Sequence, residues 1–571
     1  MSNVTLRTKA DGTPSSTADF SQIDFSGGIN FLADVNRLAA NEYRLGFNLR
    51  NRYSTLSGTL ASATDSTAPS GKKHGLYAFG SYLVLFAGGL AYVRLSGAWT
   101  AITGWTQMSK TANRYFAETI PAAELTFARK LAEGTDAGGG ILLDPATLVN
   151  SAPSALIVQD GVGQPQIIYY DAATGTLAAR LTQKYSEWTQ TSREYVPIGK
   201  QMVFFNGILF VVSKDGTKLY RSVSGRPIDF VVNVTTTGAK GGDAETVAYP
   251  LGFSPVTAIF EQNAEFIVYS TENDESYSLT LDFVNTIFGE PTFSRVFVFD
   301  SGAVNQFCGI DILGDFAFAS REGLRSYNAV FQQRNEGRNS VFSAVLADLI
   351  RGQVQTENTC AVTWDNYAFF SLKTIYGYLV FVFDTLTQKF ISLDTVTATT
   401  VQLKQLVTVT STSAQPQLWG IGSDDSVWRL YYGGSSGISY AQSSVVLRAA
   451  SAIYPGNAIK AMQVRTAFKL TPGTASGTAR LYAFVDSRQD TKVLATQVLT
   501  PPAATTVTLT DVPIPLDNAN TNFDWSVAVP SSVQGNNVQF VYAFPGNAIL
   551  SAITAEFQVI NPNGTPLISR G

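Results

Sequence analysis

Between about Gly71 and Gly434 the chain repeats one pattern, in which short runs of aromatic or β-branched residues alternate with Gly, Asn or Asp pairs suited to hairpin turns. The stretch His74–Thr103 shows it most cleanly. Leu76–Phe79, Tyr82–Phe86, Ala91–Leu95 and Trp99–Ile102 are separated by Gly80-Ser81, Gly88-Gly89 and Ser96-Gly97. Four short strands joined by tight turns make one blade of a β-propeller. The same texture returns at Ala155–Leu181, Gln201–Ser222, Val256–Leu281, Cys308–Tyr327, Cys360–Leu393 and Gln417–Tyr431. Asn206-Gly207, between Gln201–Phe205 and Ile208–Val212, is the strongest hairpin signal in the chain.

Other segments break the pattern. Residues 1–20 are polar and rich in Ser and Thr, which predicts a flexible arm ordered only by a partner. Residues 21–70 read as a compact N-terminal segment packing on the body. Helix-forming stretches at Ala122–Glu133 and Val341–Ile350 predict helical loops inserted at about 105–154 and 331–355. Beyond Gly433-Gly434 the strands lengthen and alternate, as in Ala461–Leu470, Val538–Ala543 and Ile549–Val559, so residues 435–571 read as a C-terminal β-sandwich. The expected fold is therefore mainly β: a propeller of four-stranded blades over 71–434, with an N-terminal extension and a C-terminal sandwich. The spacing leaves the blade number between about five and eight.

Composition narrows what such a body does. Charged residues are only 15% of the 571, against 45% hydrophobic, so the surface is sparing with charge and suited to large contacts with other proteins. A balance of 40 Lys+Arg against 44 Asp+Glu gives a net charge of −4, without a basic tract to follow phosphates. Cys308 and Cys360 are the only cysteines, which rules out a disulfide framework. The longest apolar stretch, Tyr82–Leu95, is broken by Gly88, Gly89 and Arg94, so membrane insertion is not expected.

Candidate chemistry is thin. His74 is the only histidine, and no Ser/His/Asp or Cys/His system can be assembled around it. With two Cys and one His in the chain, a zinc site lacks ligands. Lys72 follows Gly71 as in a phosphate loop, but Ser66 stands where that motif needs its first glycine. The acidic turns Ser213–Thr217 and Ser423–Ser426 suit hairpin tips or calcium, and Asp274 with Glu275 is an adjacent pair whose side chains diverge on a strand. Phe204-Phe205, Phe316–Phe318 and Phe381–Phe383 read as packing between blades rather than platforms for sugars or bases. Arg334–Arg338 with Arg351 is the densest basic patch. No catalytic, cofactor-binding or metal residue is assigned, no cofactor is expected, and the chain reads as a non-enzyme.

Three stretches resemble the tail nozzle proteins of short-tailed bacteriophages, also called tail tubular or head-stabilisation proteins. They are Phe25-Ser-Gly-Gly-Ile-Asn30 followed by Asn41-Glu42 and Asn48-Leu-Arg-Asn51; Ser222-Val-Ser-Gly225-Arg-Pro227-Ile-Asp-Phe230 after the Asn206-Gly207 hairpin; and Gly314-Asp315 followed by Arg321-Glu-Gly-Leu-Arg-Ser326. The resemblance spans about Phe25–Tyr431. It implies a virion structural protein assembled in the host cytoplasm, forming a ring of six copies below the portal adaptor ring. It also implies seats for tail fibres or spikes, and a channel that conducts genomic DNA non-specifically. On that reading the long insertion Thr106–Ser154 is a candidate for the gate or for contacts with a neighbouring copy. The rival expectation is a carbohydrate-active or glycan-binding propeller; a third is a monomeric interaction scaffold.

Overall fold

The computed structural model describes residues 5–560 except 9–13, 35–36, 53, 122–153, 172–173, 183–195, 223–224, 226, 229, 231–248, 263–265, 283–291, 328–342, 398–399, 411–414, 434–438, 452–456, 472–473, 487 and 502–520. Among the described residues, seven antiparallel sheets follow one another along the chain. Blade I covers Lys73–Ala101, blade II Phe116–Leu181, blade III Gly199–Pro250, blade IV Val256–Phe299, blade V Gly309–Ser326, blade VI Cys360–Asp394 and blade VII Leu403–Leu430. Each holds four strands except blade V, which has three among the described residues. The first strand of every blade is the innermost. Contacts run from the first strand of blade I to those of blades II and VII and onward from blade to blade, and the ring closes between blades IV and V where Phe260 packs on Phe316 with centroids 4.6 Å apart. The protein is a seven-bladed β-propeller with a β-sandwich attached.

Packing between blades explains why the strand sequences read as nearly unbroken apolar runs. In Tyr82–Ala87 of blade I, successive side chains point to opposite faces. Leu83, Leu85 and Ala87 pack against Trp419 and Ile421 of blade VII, while Val84 and Phe86 pack against Leu156 and Ile168 of blade II. Both faces are buried, as in a sheet covered on two sides, and each such Leu, Val or Phe contributes about 1.5–3 kcal/mol on burial.

Ring closure uses the N-terminal segment. Ala63–Thr64 pairs with Val427–Leu430 as the outer strand of blade VII, so a residue from before blade I completes the last blade. Asp65 then turns the chain: its carboxylate accepts from Trp99 Nε1 (3.0 Å) and Arg94 Nε (3.2 Å) of blade I and from Thr67 N (3.0 Å).

The sandwich has two sheets. One is ordered Gly477–Val485 beside Asn537–Pro545 beside Gln442–Ser451, and the other Ala548–Ile560 beside Ala458–Leu470 beside Thr521–Ala528. Both recruit N-terminal strands. Leu45–Phe47 pairs with Gln442–Ser451, and Thr55–Gly58 pairs with Ala548–Ile560. The expectation of a flexible arm is corrected here: Pro14–Gln22 is a strand running antiparallel to Ile553–Gln558, and Thr5–Thr8 folds back on it. Ala18 and Phe20 are buried in the sandwich core, so the arm takes its order from the chain's own C-terminal strands. A polar composition concealed this because only one face of the strand is covered.

Two insertions were expected. The first differs: Phe116–Pro121, inside the segment assigned to a loop, is the inner strand of blade II, and it pairs in register with Ser154–Gln159. Its Glu118 and terminal Pro121 weaken the strand pattern. Ala122–Glu133 lies outside the described residues. In the second, Ala347–Ile350 forms a short α-helical turn. Among the described residues no helix is long and apolar enough to cross a membrane.

Candidate functional site

The inner strands converge on the propeller axis, where the first place to seek a ligand lies. Side chains from blades that are not neighbours meet there. Phe116 of blade II stacks on Phe307, at the entry to blade V, with centroids 6.0 Å apart; Tyr77 of blade I stands 6.4 Å from the same ring. Arg114, just before blade II, lays its guanidinium 4.5 Å over Phe307. Its Nη1 donates to the Lys404 carbonyl of blade VII (2.7 Å) and its Nη2 to the Glu357 carbonyl before blade VI. Contacts among blades I, II, V, VI and VII can close only across the axis, so these side chains stopper it at the end where the inner strands begin.

Glutamines satisfy the backbone exposed along the inner edges. Gln405 of blade VII accepts from Leu76 N (3.0 Å) and donates to Leu76 O (2.6 Å) on blade I. Gln306 does the same for Ile259 on blade IV, at 2.8 and 2.6 Å. Such clamps satisfy the Leu76 and Ile259 backbone groups where blades meet. Glu118 stands in a related place on blade II, accepting from Phe204 N of blade III at 3.4 Å. Burial pushes its carboxyl up to about 8; the Phe204 amide opposes this and nearby Glu261 of blade IV adds to it. Glu261 is itself raised by burial. No sequence signal marks Glu118, because Phe116–Pro121 carries a weak strand pattern.

A second polar centre joins the N-terminal segment to the rim of blade VI. Arg50 Nη1 meets Asp394 Oδ2 at 2.9 Å, and Tyr431 Oη donates to the same oxygen at 2.6 Å. The guanidinium lies 4.7 Å over the Tyr431 ring, and Ser392 Oγ donates to the other carboxylate oxygen. Close by, a cleft of about 330 Å³ is lined by Asn51, Asp365, Asn366, Tyr367, Asp384, Leu386 and Thr387. Asp384 is already engaged, accepting from Leu386 N and Thr387 Oγ1, both at 2.9 Å.

The features singled out in the sequence scatter rather than converge. His74 is buried, stacked on Tyr115 at 4.5 Å, with Nδ1 bound to the Ala112 carbonyl. Asp215 and Asp424 close their own hairpin tips through Ser213, Thr217 and Ser426. Asp274 sits in a turn at φ 66°, and Glu275 accepts from Tyr277 Oη at 2.8 Å. Phe205, Phe316, Phe318, Phe381 and Phe383 are buried between elements. Arg351 pairs with Asp348 at the surface, and Arg334–Arg338 lies outside the described residues. Cys308 and Cys360 are free thiols, both buried, with burial pushing Cys308 up to about 11. Among the described residues no group of three or more His, Cys, Asp or Glu is placed to hold a metal ion.

No protein-family model matches the chain, and no curated protein does. Among solved structures, YCF48 bound to D1 peptide aligns over 65% of this chain and 95% of its own, at 8% identity and a TM-score of 0.36. The extracellular domain of the putative hybrid two-component system BT4673 from B. thetaiotaomicron aligns over 92% and 68%, at 10% identity and a TM-score of 0.36. BBS1N in complex with ARL6DN aligns over 63% and 79%, at 11% identity and a TM-score of 0.26. At these scores the similarities carry nothing on function.

Proposed function

We propose that this chain is a structural subunit of a bacteriophage short tail, a nozzle whose copies form a ring that retains genomic DNA and then lets it leave. In that role it docks the portal adaptor ring and the tail fibres or spikes, within the virion. What supports the reading is that the three stretches resembling nozzle-protein motifs are joints of the scaffold. Gly28, at φ 71°, lies so close to blade VI that a Cβ would stand 2.5 Å from the Phe390 carbonyl. Ser222 Oγ accepts from Leu209 N (2.8 Å) and Gly225 N donates to Gly207 O (2.9 Å), which buttresses the Asn206-Gly207 hairpin. Arg325 is buried and pairs with Glu322 at 2.9 Å, while Ser326 Oγ donates to Asp315. Such joints serve a rigid part that touches other proteins. The stoppered axis leaves a DNA passage only between copies. Phe253, Val296 and Phe297, exposed near the outer edge of blade IV, offer apolar contact area to a neighbour.

Electron microscopy of the purified protein, alone and mixed with its adaptor, tests this. Rings of six copies are expected; monomers under both conditions would overturn the proposal. The glycan-binding alternative rests on the oxygen-rich cleft at Asp365 and Asp384. It gains only if a glycan array gives binding that Asp365→Ala abolishes.

A further inference from the structure

Four cations crowd the mouth where the inner strands of blades I, II and VII begin. Lys404 feels both Lys72 and Arg114, and Lys73 feels Lys404. Among the described residues, Asp425 acts on Lys73 and Lys404 and Glu357 on Arg114. Lys404 Nζ reaches Asp425 Oδ1 at 2.6 Å, and that oxygen also takes the Lys73 backbone N–H at 3.0 Å. The other three side chains rest on neutral groups: Lys72 Nζ on Asn113 Oδ1 (2.9 Å) and the Thr111 carbonyl, Lys73 Nζ on the Gly71 carbonyl (2.9 Å), Arg114 on the two carbonyls already described. Lys73 and Lys404 are only 5% and 8% exposed. Burial holds Lys73, Lys404 and Arg114 all below their ordinary proton affinity, opposed by Asp425 at the two lysines and by Glu357 among others at the arginine. Beside them the His74 Nε2 is buried with no hydrogen-bond partner among the described residues, within electrostatic reach of Lys72, Lys404 and Asp425. All this sits on a chain of net charge −4.

We propose that this mouth is a receptor for a single oxyanion, a carboxylate or phosphate group, seated against Lys73 and Lys404 and faced by Lys72 and Arg114. A focused cluster with low-dielectric walls concentrates a counter-ion. The cations come from the starts of three inner strands instead of lining a stripe. A single inserted group fits that arrangement, whereas a nucleic-acid backbone needs charges spaced along its length. The half-buried Lys72 gives the group its way in. The inference does not depend on the nozzle reading and holds for a monomer as for a ring.

The test is the melting temperature of the full chain as sodium phosphate, or in a second arm sodium acetate, replaces sodium chloride at constant ionic strength. A ligand that binds only the folded state raises the melting point with its logarithmic concentration. The expected result is such a rise in the wild type, weakened about tenfold in apparent affinity in Lys73→Met and retained in Lys389→Met, an exposed lysine on blade VI. A rise with acetate alone assigns the seat to a carboxylate, and a rise with phosphate alone to a phosphate. Should Lys73→Met not fold, Lys72→Met is read in the same way. No rise with either anion, or an undiminished rise in the variant that folds, overturns the inference.

Discussion

The Arg50 guanidinium and the Asp394 carboxylate meet at 2.9 Å with Asp394 wholly buried, which fastens the N-terminal segment to blade VI across 344 residues of sequence. Leu49 reinforces the joint, its N–H donating to Ser392 Oγ at 2.9 Å. Because Leu45–Phe47 and Thr55–Gly58 belong to the sandwich sheets, the pair also ties the sandwich to the propeller.

Breaking that pair one partner at a time leaves a buried charge alone. Asp394→Ala is expected to cost about 3–5 kcal/mol, read from urea unfolding. The double variant Arg50→Met/Asp394→Leu should recover a large part of the loss, since it removes both charges. A double variant no more stable than the single one would show that the site needs ionic partners rather than packing.

The repeated blades were legible because each strand such as Tyr82–Ala87 is apolar on both faces and each turn carries Gly, Asn or Asp. What escaped was pairing at long range. Nothing in Ala63–Thr64 indicates that it belongs beside Val427–Leu430, and nothing in Pro14–Gln22 points to Ala548–Ile560. The Arg114 stopper was equally hidden, because its partners Phe307, Glu357 and Lys404 come from three other places in the chain. Local pattern encodes strands and turns; which edges meet is decided by closure of the ring.

Glu118 makes stability depend on pH. Its folded carboxyl is raised to about 8 from an ordinary 4.5, so between those values the folded state holds a proton that the unfolded chain has lost. Its contribution is present at low pH and disappears as pH rises toward 8. Glu118→Gln should therefore stabilise the protein at pH 8, by about 1 kcal/mol after solvent screening, and flatten thermal stability between pH 5 and 8. The same slope in variant and wild type would place the titration elsewhere.

Asn206 and Gly207 both adopt left-handed backbone, at φ 48° and 77°, which a two-residue hairpin of this kind requires. Gly207→Val forces a β-branched residue into that region at a cost of about 1–2 kcal/mol. Gly207→Asn, which tolerates it, should lose less. Calorimetry that ranks the two variants equally would contradict the turn's conformation.

Asp65 tests how the ring is held shut. Burial raises its carboxyl, but the Thr67 hydroxyl and amide, Trp99 and Arg94 outweigh that and hold it below the ordinary value of 3.8. A lowered folded value stabilises the protein above pH 3.8, and this is lost as pH falls through the folded value. Asp65→Ala removes the acceptor that Trp99 and Arg94 share and should cost about 1–3 kcal/mol at neutral pH. The damage should be local, because Ala63–Thr64 is bonded to blade VII alone while Asp65 reaches across to blade I. Hydrogen exchange should therefore quicken at Val427–Leu430 and Ala98–Ala101 and remain slow in the sandwich strand Ala458–Leu470. Uniform quickening through all seven blades would mean that the propeller opens as one unit and that Asp65 is no latch.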